Sequence, residues 1–122
     1  VQKENRLTRR EDFNKVYRYG KSAANHQFVV YVLNRHSVQS GSGFRLGISV
    51  SKKVGNAVVR NRLRRRIKEI VRLNRDKLVP KKDFILIARK PAADMEYAEM
   101  EKSILHVLKR AELLVKKGQP GG

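Results

Sequence analysis

The sequence predicts an α+β fold: one sheet covered by helices, an α/β sandwich forming a single domain. Three observations lead there. Short runs rich in β-branched and aromatic residues, at 27–33, 44–51 and 83–88, read as strands. Around them, apolar residues recur every three or four positions, the spacing of one helix face. The 122 residues contain no internal repeat and are 40% hydrophobic, enough for one core.

Each element follows from local pattern. Thr8-Arg9-Arg10-Glu11 matches a capping box, with the Thr8 hydroxyl accepting from the Glu11 amide and Glu11 reaching back. Phe13, Val16 and Tyr17 then share one helical face, and Gly20 is placed as a stop. A first helix is expected over about 9–19. QFVVYVL at 27–33 is a strand, and 34–43, with Ser, Asn and two glycines, is a flexible loop. In FRLGISVS at 44–51, apolar Phe44, Leu46, Ile48 and Val50 alternate with Arg45, Gly47, Ser49 and Ser51. That is a strand with one buried face and one small or polar face. After the break at Gly55-Asn56, Val59, Leu63, Ile67, Ile70, Val71 and Asn74 form the stripe of a long helix, and Pro80 ends the segment. DFILIA at 83–88 is apolar enough for a central strand covered on both faces. Beyond Pro91, Asp94 is the expected cap of a last helix. Its stripe is Tyr97, Met100 or Glu101, Ile104, Val107, Leu108, Ala111 and Leu114 or Val115. The domain is expected to span 1–117, with 118–122 as a flexible tail.

Composition narrows the function. Lys and Arg number 29 against 11 Asp and Glu, a net charge of +18. There is no cysteine, which excludes disulfides, a thiolate nucleophile and Cys-based zinc. His26, His36 and His106 are too scattered for a helical metal pair and read as ordinary surface or helix residues. No apolar run approaches the ~20 residues that span a bilayer, and Val1–Arg10 lacks the apolar stretch of a secretory signal. A cytoplasmic location and no membrane partner are expected. The excess charge points to a polyanion, with nucleic acid first. It is uneven: +6 over 1–51, +9 over 52–75, +3 over 76–91 and zero over 92–122. Half of it therefore lies in a fifth of the chain, which reads as one binding element on a balanced scaffold.

That element is the run from Lys52 to Lys68. Arg60, Arg64 and Lys68 repeat at i+4, and Arg62, Arg65 and Arg66 with Asn61 fill the outer face. Like charges at this spacing destabilise a lone helix by a few tenths of a kcal/mol per pair, a cost that a bound anion would offset. Arginine predominates, and its planar fork matches phosphate oxygens in pairs.

The string GISVSKKVGNAVVRNRLRRRIKE closely resembles the signature of the protein subunit of bacterial ribonuclease P. Arg60-Asn61-Arg62 is similar to that family's arginine-asparagine-arginine motif. The resemblance also covers Asp12-Phe13 and Tyr17, the 25–33 strand and Ile87-Ala88-Arg89-Lys90-Pro91, from about Leu7 to Leu114. It implies the order α-β-β-β-α-β-α, like the second domain of ribosomal protein S5, with a left-handed βαβ crossover against the usual right-handed preference. It implies a protein subunit of an endoribonuclease whose catalytic centre is RNA. That RNA removes the 5′ leader of precursor tRNA with magnesium bound chiefly by the RNA, and the protein alone is inactive.

Carried onto these residues, the resemblance implies that Lys53, Arg60, Asn61, Arg62, Arg65 and Arg66 contact the catalytic RNA. Arg64 and Lys68 are also candidates, though their azimuth is nearer the apolar edge. Phe13, Tyr17 and Tyr31 would line a cleft for the leader, with Ser51, Lys52, Arg89 and Lys90 along its path. Exposed aromatics on a basic surface stack single-stranded bases whatever their sequence. Pattern alone favours Phe13 and Tyr17 as core; the resemblance reverses this. Position 17 often holds phenylalanine in the family, and tyrosine keeps the stacking face. Phe28, Phe44 and Phe84 remain core. No Ser/His/Asp set, carboxylate pair or metal cluster is visible, so no catalytic or metal residue is assigned. Two rivals share the charge. A ribosomal or other structural RNA-binding protein would not need the cleft. A DNA-binding domain is disfavoured by sparse Asn and Gln and an order unlike helix-turn-helix; no DNA partner is expected.

Overall fold

A computed structural model describes residues 7, 9–34, 44–79 and 81–114. The order is α1 (Arg10–Tyr19), β1 (Lys21–Ala24), β2 (Phe28–Asn34), β3 (Arg45–Val50), α2 (Ala57–Leu73), β4 (Lys82–Ala88) and α3 (Tyr97–Arg110). Short 3-10 turns occupy Arg75–Lys77 and Lys90–Asp94. This is the expected α-β-β-β-α-β-α order. Thr8, Pro80, the loop at 35–43 and the tail at 118–122 lie outside the described residues.

The strands form one mixed sheet in the order β1-β2-β4-β3. β1 and β2 are antiparallel, as are β2 and β4, while β3 and β4 run parallel around the α2 crossover. The side-chain period of two sorts the sheet onto two faces. Phe28, Val30, Leu46, Val50, Phe84, Leu86 and Ala88 enter the main core with Leu63, Ile67, Ile70 and Val71 of α2 and Met100, Ile104, Val107 and Leu108 of α3. On the opposite face, Ile85 packs with Leu7 and Val16 beneath α1, flanked by Phe13, Tyr31, Leu33 and Ile87. β4 is thus central and covered on both sides, as its unbroken apolar run requires. Phe28, Phe44 and Phe84 are all buried.

Several details differ from expectation. The residue pattern does not place β1, although the order implied by the resemblance includes it: Lys-Ser-Ala-Ala carries no apolar rhythm and is a strand because β2 pairs with it, Lys21 opposite Val32. The N-cap of α1 falls on Arg9 rather than Thr8, without a side-chain hydrogen bond. Asp94 does not cap α3. It closes the 3-10 turn begun by Lys90-Pro91, so the cap moves to Glu96, whose amide donates to the Glu99 carboxylate at 3.3 Å. The last stripe runs through Met100, which is buried, whereas Glu101 is half-buried and accepts from Asn74 Nδ2 at 3.1 Å.

Gly20 does end α1, but not by adopting the left-handed conformation. Its φ is −80°. A Cβ there would lie 2.4 Å from the Val16 carbonyl oxygen and 2.5 Å from that of Val32. Both obstacles are backbone, so neither can rotate away. Gly20→Ala is expected to cost about 1–3 kcal/mol by forcing α1 off β2. Urea unfolding measures it, and parental stability would mean that the α1–β1 corner is not tight.

Candidate RNA interface

Parallel pairing sets where the charged segments emerge. Val50 of β3 lies opposite Ala88 of β4, so Ser51-Lys52 and Arg89-Lys90 leave the sheet at the same end of the two strands. All four side chains are exposed, as is Lys53. The chain turns at Ser51–Val54, with the Val54 amide donating to the Ser51 carbonyl at 3.1 Å and the Val54 side chain buried. It then enters α2, where Asn56 caps the helix by accepting from the Val59 amide at 3.0 Å. The first turn of α2 has no acidic residue.

The apolar stripe of α2 docks on β3 and leaves the basic face outward. Asn61 and Arg65 are exposed; Arg60, Arg62, Arg64, Arg66 and Lys68 are half-buried. Arg64 and Lys68 thus share the intermediate burial of Arg60, Arg62 and Arg66. Asn61 Oδ1 accepts from Arg64 Nη1 at 3.2 Å and so orients it. The one acid of 52–75, Glu69, is taken by Arg72 at 2.7 and 3.2 Å. Among the described residues, the cations from Arg60 to Lys68 make no ion pair. The Nε atoms of Arg60 and Arg62 are buried without a hydrogen-bond partner. A buried donor left so is costly, and the two arms flanking Asn61 are the ones that carry it.

The aromatic set lies on the α1 face. Tyr17 is 39% exposed, while Phe13 and Tyr31 are half-buried. Tyr17 meets Tyr31 edge-on with centroids 5.0 Å apart, and Phe13 lies 6.5 Å from Tyr17. Burial raises the Tyr17 phenol above its ordinary pKa, a hydrogen bond to Ser49 opposes this, and Tyr31 adds to the rise. Phe13 fits only because residue 47 is glycine. A Cβ there would fall 2.7 Å from the ring. The small and polar face of β3 thus lies under α1, with Gly47 seating Phe13 and Ser49 beside Tyr17.

A third link was invisible in the sequence pattern. Arg45 Nε and Nη2 donate to the buried Asp83 carboxylate at 2.9 and 2.6 Å, and Nη1 reaches Asp12 of α1 at 3.4 Å. The bond to Asp83 raises the Arg45 guanidinium further above its ordinary value, against burial. Asn25 was also missed as more than the start of a strand; its placement before Gln27-Phe28 is the signal of a side-chain-capped turn. His26 and His106 are exposed, and His36 is outside the described residues. No group of three His, Cys, Asp or Glu among the described residues is disposed to hold a metal ion. No helix among them is long and apolar enough to cross a membrane.

Comparison with known proteins agrees with this arrangement. A family model described as Ribonuclease P matches residues 1–112. The ribonuclease P protein component of Listeria welshimeri is 49% identical over 118 residues, covering 96% of each chain. The solved RNase P protein of Staphylococcus aureus superposes with a TM-score of 0.82 at 44% identity, over 91% of this chain and 98% of that one. That of Thermotoga maritima gives 0.77 at 33% identity, over 86% and 96%. An α+β sheet of this order, a basic α2 carrying Arg60-Asn61-Arg62 and these relatives agree: the chain belongs to the ribonuclease P protein family.

Proposed function

We propose that this chain is the protein subunit of a bacterial ribonuclease P and acts in the cytoplasm through two RNA surfaces. The outer face of α2, with Lys53, docks on the catalytic RNA. The cleft of Phe13, Tyr17 and Tyr31, continued by Ser51, Lys52, Arg89 and Lys90, takes the 5′ leader of precursor tRNA. The observation that carries the reading is the placing of a partly exposed Tyr17, edge-on to Tyr31, on a sheet face that ends in four exposed polar and basic residues. A ring so presented offers a face to an unpaired base, and the cations beyond it suit the connecting phosphates.

The protein contributes position and charge. It reduces repulsion between two RNAs and holds the leader extended, while cleavage belongs to the RNA and its magnesium. Magnesium supplies Lewis-acid chemistry there, and no residue of this chain is assigned to it.

Reconstitution with a bacterial ribonuclease P RNA at low magnesium tests the reading. The protein should stimulate leader removal and do nothing without the RNA. Tyr17→Ala should weaken leader-bearing precursor tRNA about tenfold and leave mature tRNA unchanged, since one stacked base is worth ~1–3 kcal/mol. Tyr17 is preferred to Phe13, which fills the space above Gly47. Equal losses for both RNAs would favour a structural RNA-binding protein instead.

A further inference from the structure

Arg89 is held by a turn that is itself fastened to α3. Asn25 Oδ1 accepts from the amides of Gln27 and Phe28 at 3.0 and 2.8 Å, closing the β1–β2 connection. Asn25 Nδ2 donates to the Ser103 carbonyl at 2.8 Å and lies 3.1 Å from Ser103 Oγ and 3.3 Å from His106 Nδ1. Ser103 Oγ in turn donates to Gln27 Oε1 at 2.9 Å. Both ends of the Asn25 side chain are thus engaged. The backbone carbonyl of Asn25 accepts from Arg89 Nη1 at 3.2 Å, and the Arg89 amide donates to the Gln27 carbonyl at 2.8 Å.

We infer that Asn25 is a positioning residue for leader recognition, acting by presetting the Arg89 guanidinium through its own carbonyl. The inference rests on the proposed leader contact of Arg89. A neutral carbonyl is suited to this task. It occupies one of the five N–H donors of arginine and leaves the positive charge and the other four donors for phosphate. A carboxylate anchor would cancel the charge. An arginine already ordered loses less freedom when the leader arrives, an advantage of about two- to tenfold in affinity. By this route α3, in the neutral quarter of the chain, takes part in binding RNA that it does not touch.

A double-mutant cycle on the reconstituted holoenzyme tests it. Arg89→Ala should weaken leader-bearing precursor tRNA about tenfold, as loss of a charge-assisted contact does, and spare mature tRNA. Asn25→Ala should cost about three- to tenfold on the same substrate, again sparing mature tRNA, and add nothing in the Arg89→Ala background. A purely structural role would lower affinity for both RNAs. Asn25→Ser keeps an oxygen for the turn and cannot reach Ser103, so it serves in the same cycle if Asn25→Ala unfolds. Full additivity with Arg89→Ala, or affinity equal to the parent, overturns the role of Asn25. Loss of nothing in Arg89→Ala alone overturns the leader contact instead.

Discussion

The Arg60→Ala/Arg62→Ala/Arg65→Ala variant is expected to bind the catalytic RNA about 10²-fold more weakly at about 0.15 M salt. Each neutralised phosphate contributes ~0.7–0.9 to the slope of log K against log salt, about fivefold per contact at that concentration. Three contacts multiply to about a hundredfold, and the slope itself should fall by about two to three. The protein's own stability should stay within about 1 kcal/mol of the parent. Removing like-charge neighbours such as Arg60–Arg64 and Arg62–Arg66 relieves a few tenths of a kcal/mol per pair, which offsets packing lost from the half-buried stems. Binding and stability therefore separate, as they would not for a scaffold helix. Filter binding across a salt series reads the slope. An unchanged slope would remove α2 from the docking face.

Asp83→Ala is expected to lose about 2–3 kcal/mol of stability, close to 10 °C in Tm for a chain of this size. Asp83 is 4% exposed and receives both forks of Arg45, whose side chain is 28% exposed. Deleting the acid leaves a mostly covered cation facing Asp12 of α1, 3.4 Å from its Nη1. The partial access of Arg45 to water keeps the loss below that of a fully enclosed pair. Arg45→Met with Asp83→Leu should recover much of it, because two apolar groups of similar size avoid the desolvation of both charges. Urea titration of the three proteins decides. An Asp83→Ala protein as stable as the parent would show the pair to be surface decoration.

The sequence carried the layers of this molecule better than its joints. The stripe from Val59 to Asn74 and the run Phe84–Leu86 are legible because burial demands apolar residues at a fixed period, whatever the neighbours. The residue pattern alone does not locate β1, because pairing with β2 makes it a strand, and pairing leaves little mark on Lys-Ser-Ala-Ala. The start of α3 was misplaced because Asp94 is a good cap in isolation, and only the 3-10 turn before it says otherwise. The candidate site divides the same way. Arg60 to Lys68 announce themselves by charge. The seating of Phe13 on Gly47, the fork from Arg45 to Asp83 and the tether of Asn25 to Ser103 join residues far apart in the chain, and no local pattern records them.

The parallel pairing of β3 with β4 has a consequence for measurement at the molecular scale. The segment entering α2 follows one strand and Arg89 follows the other, each just beyond the paired Val50 and Ala88. The two proposed RNA surfaces are therefore the two jaws of a caliper whose gap is set by backbone hydrogen bonds rather than by side chains. A slip of two residues would shift one jaw by about 7 Å along the sheet. Substitutions on either jaw change grip without changing the gap. Only a change in register, through the strands themselves, could reset where the proposed leader cleft sits relative to the proposed docking face of α2.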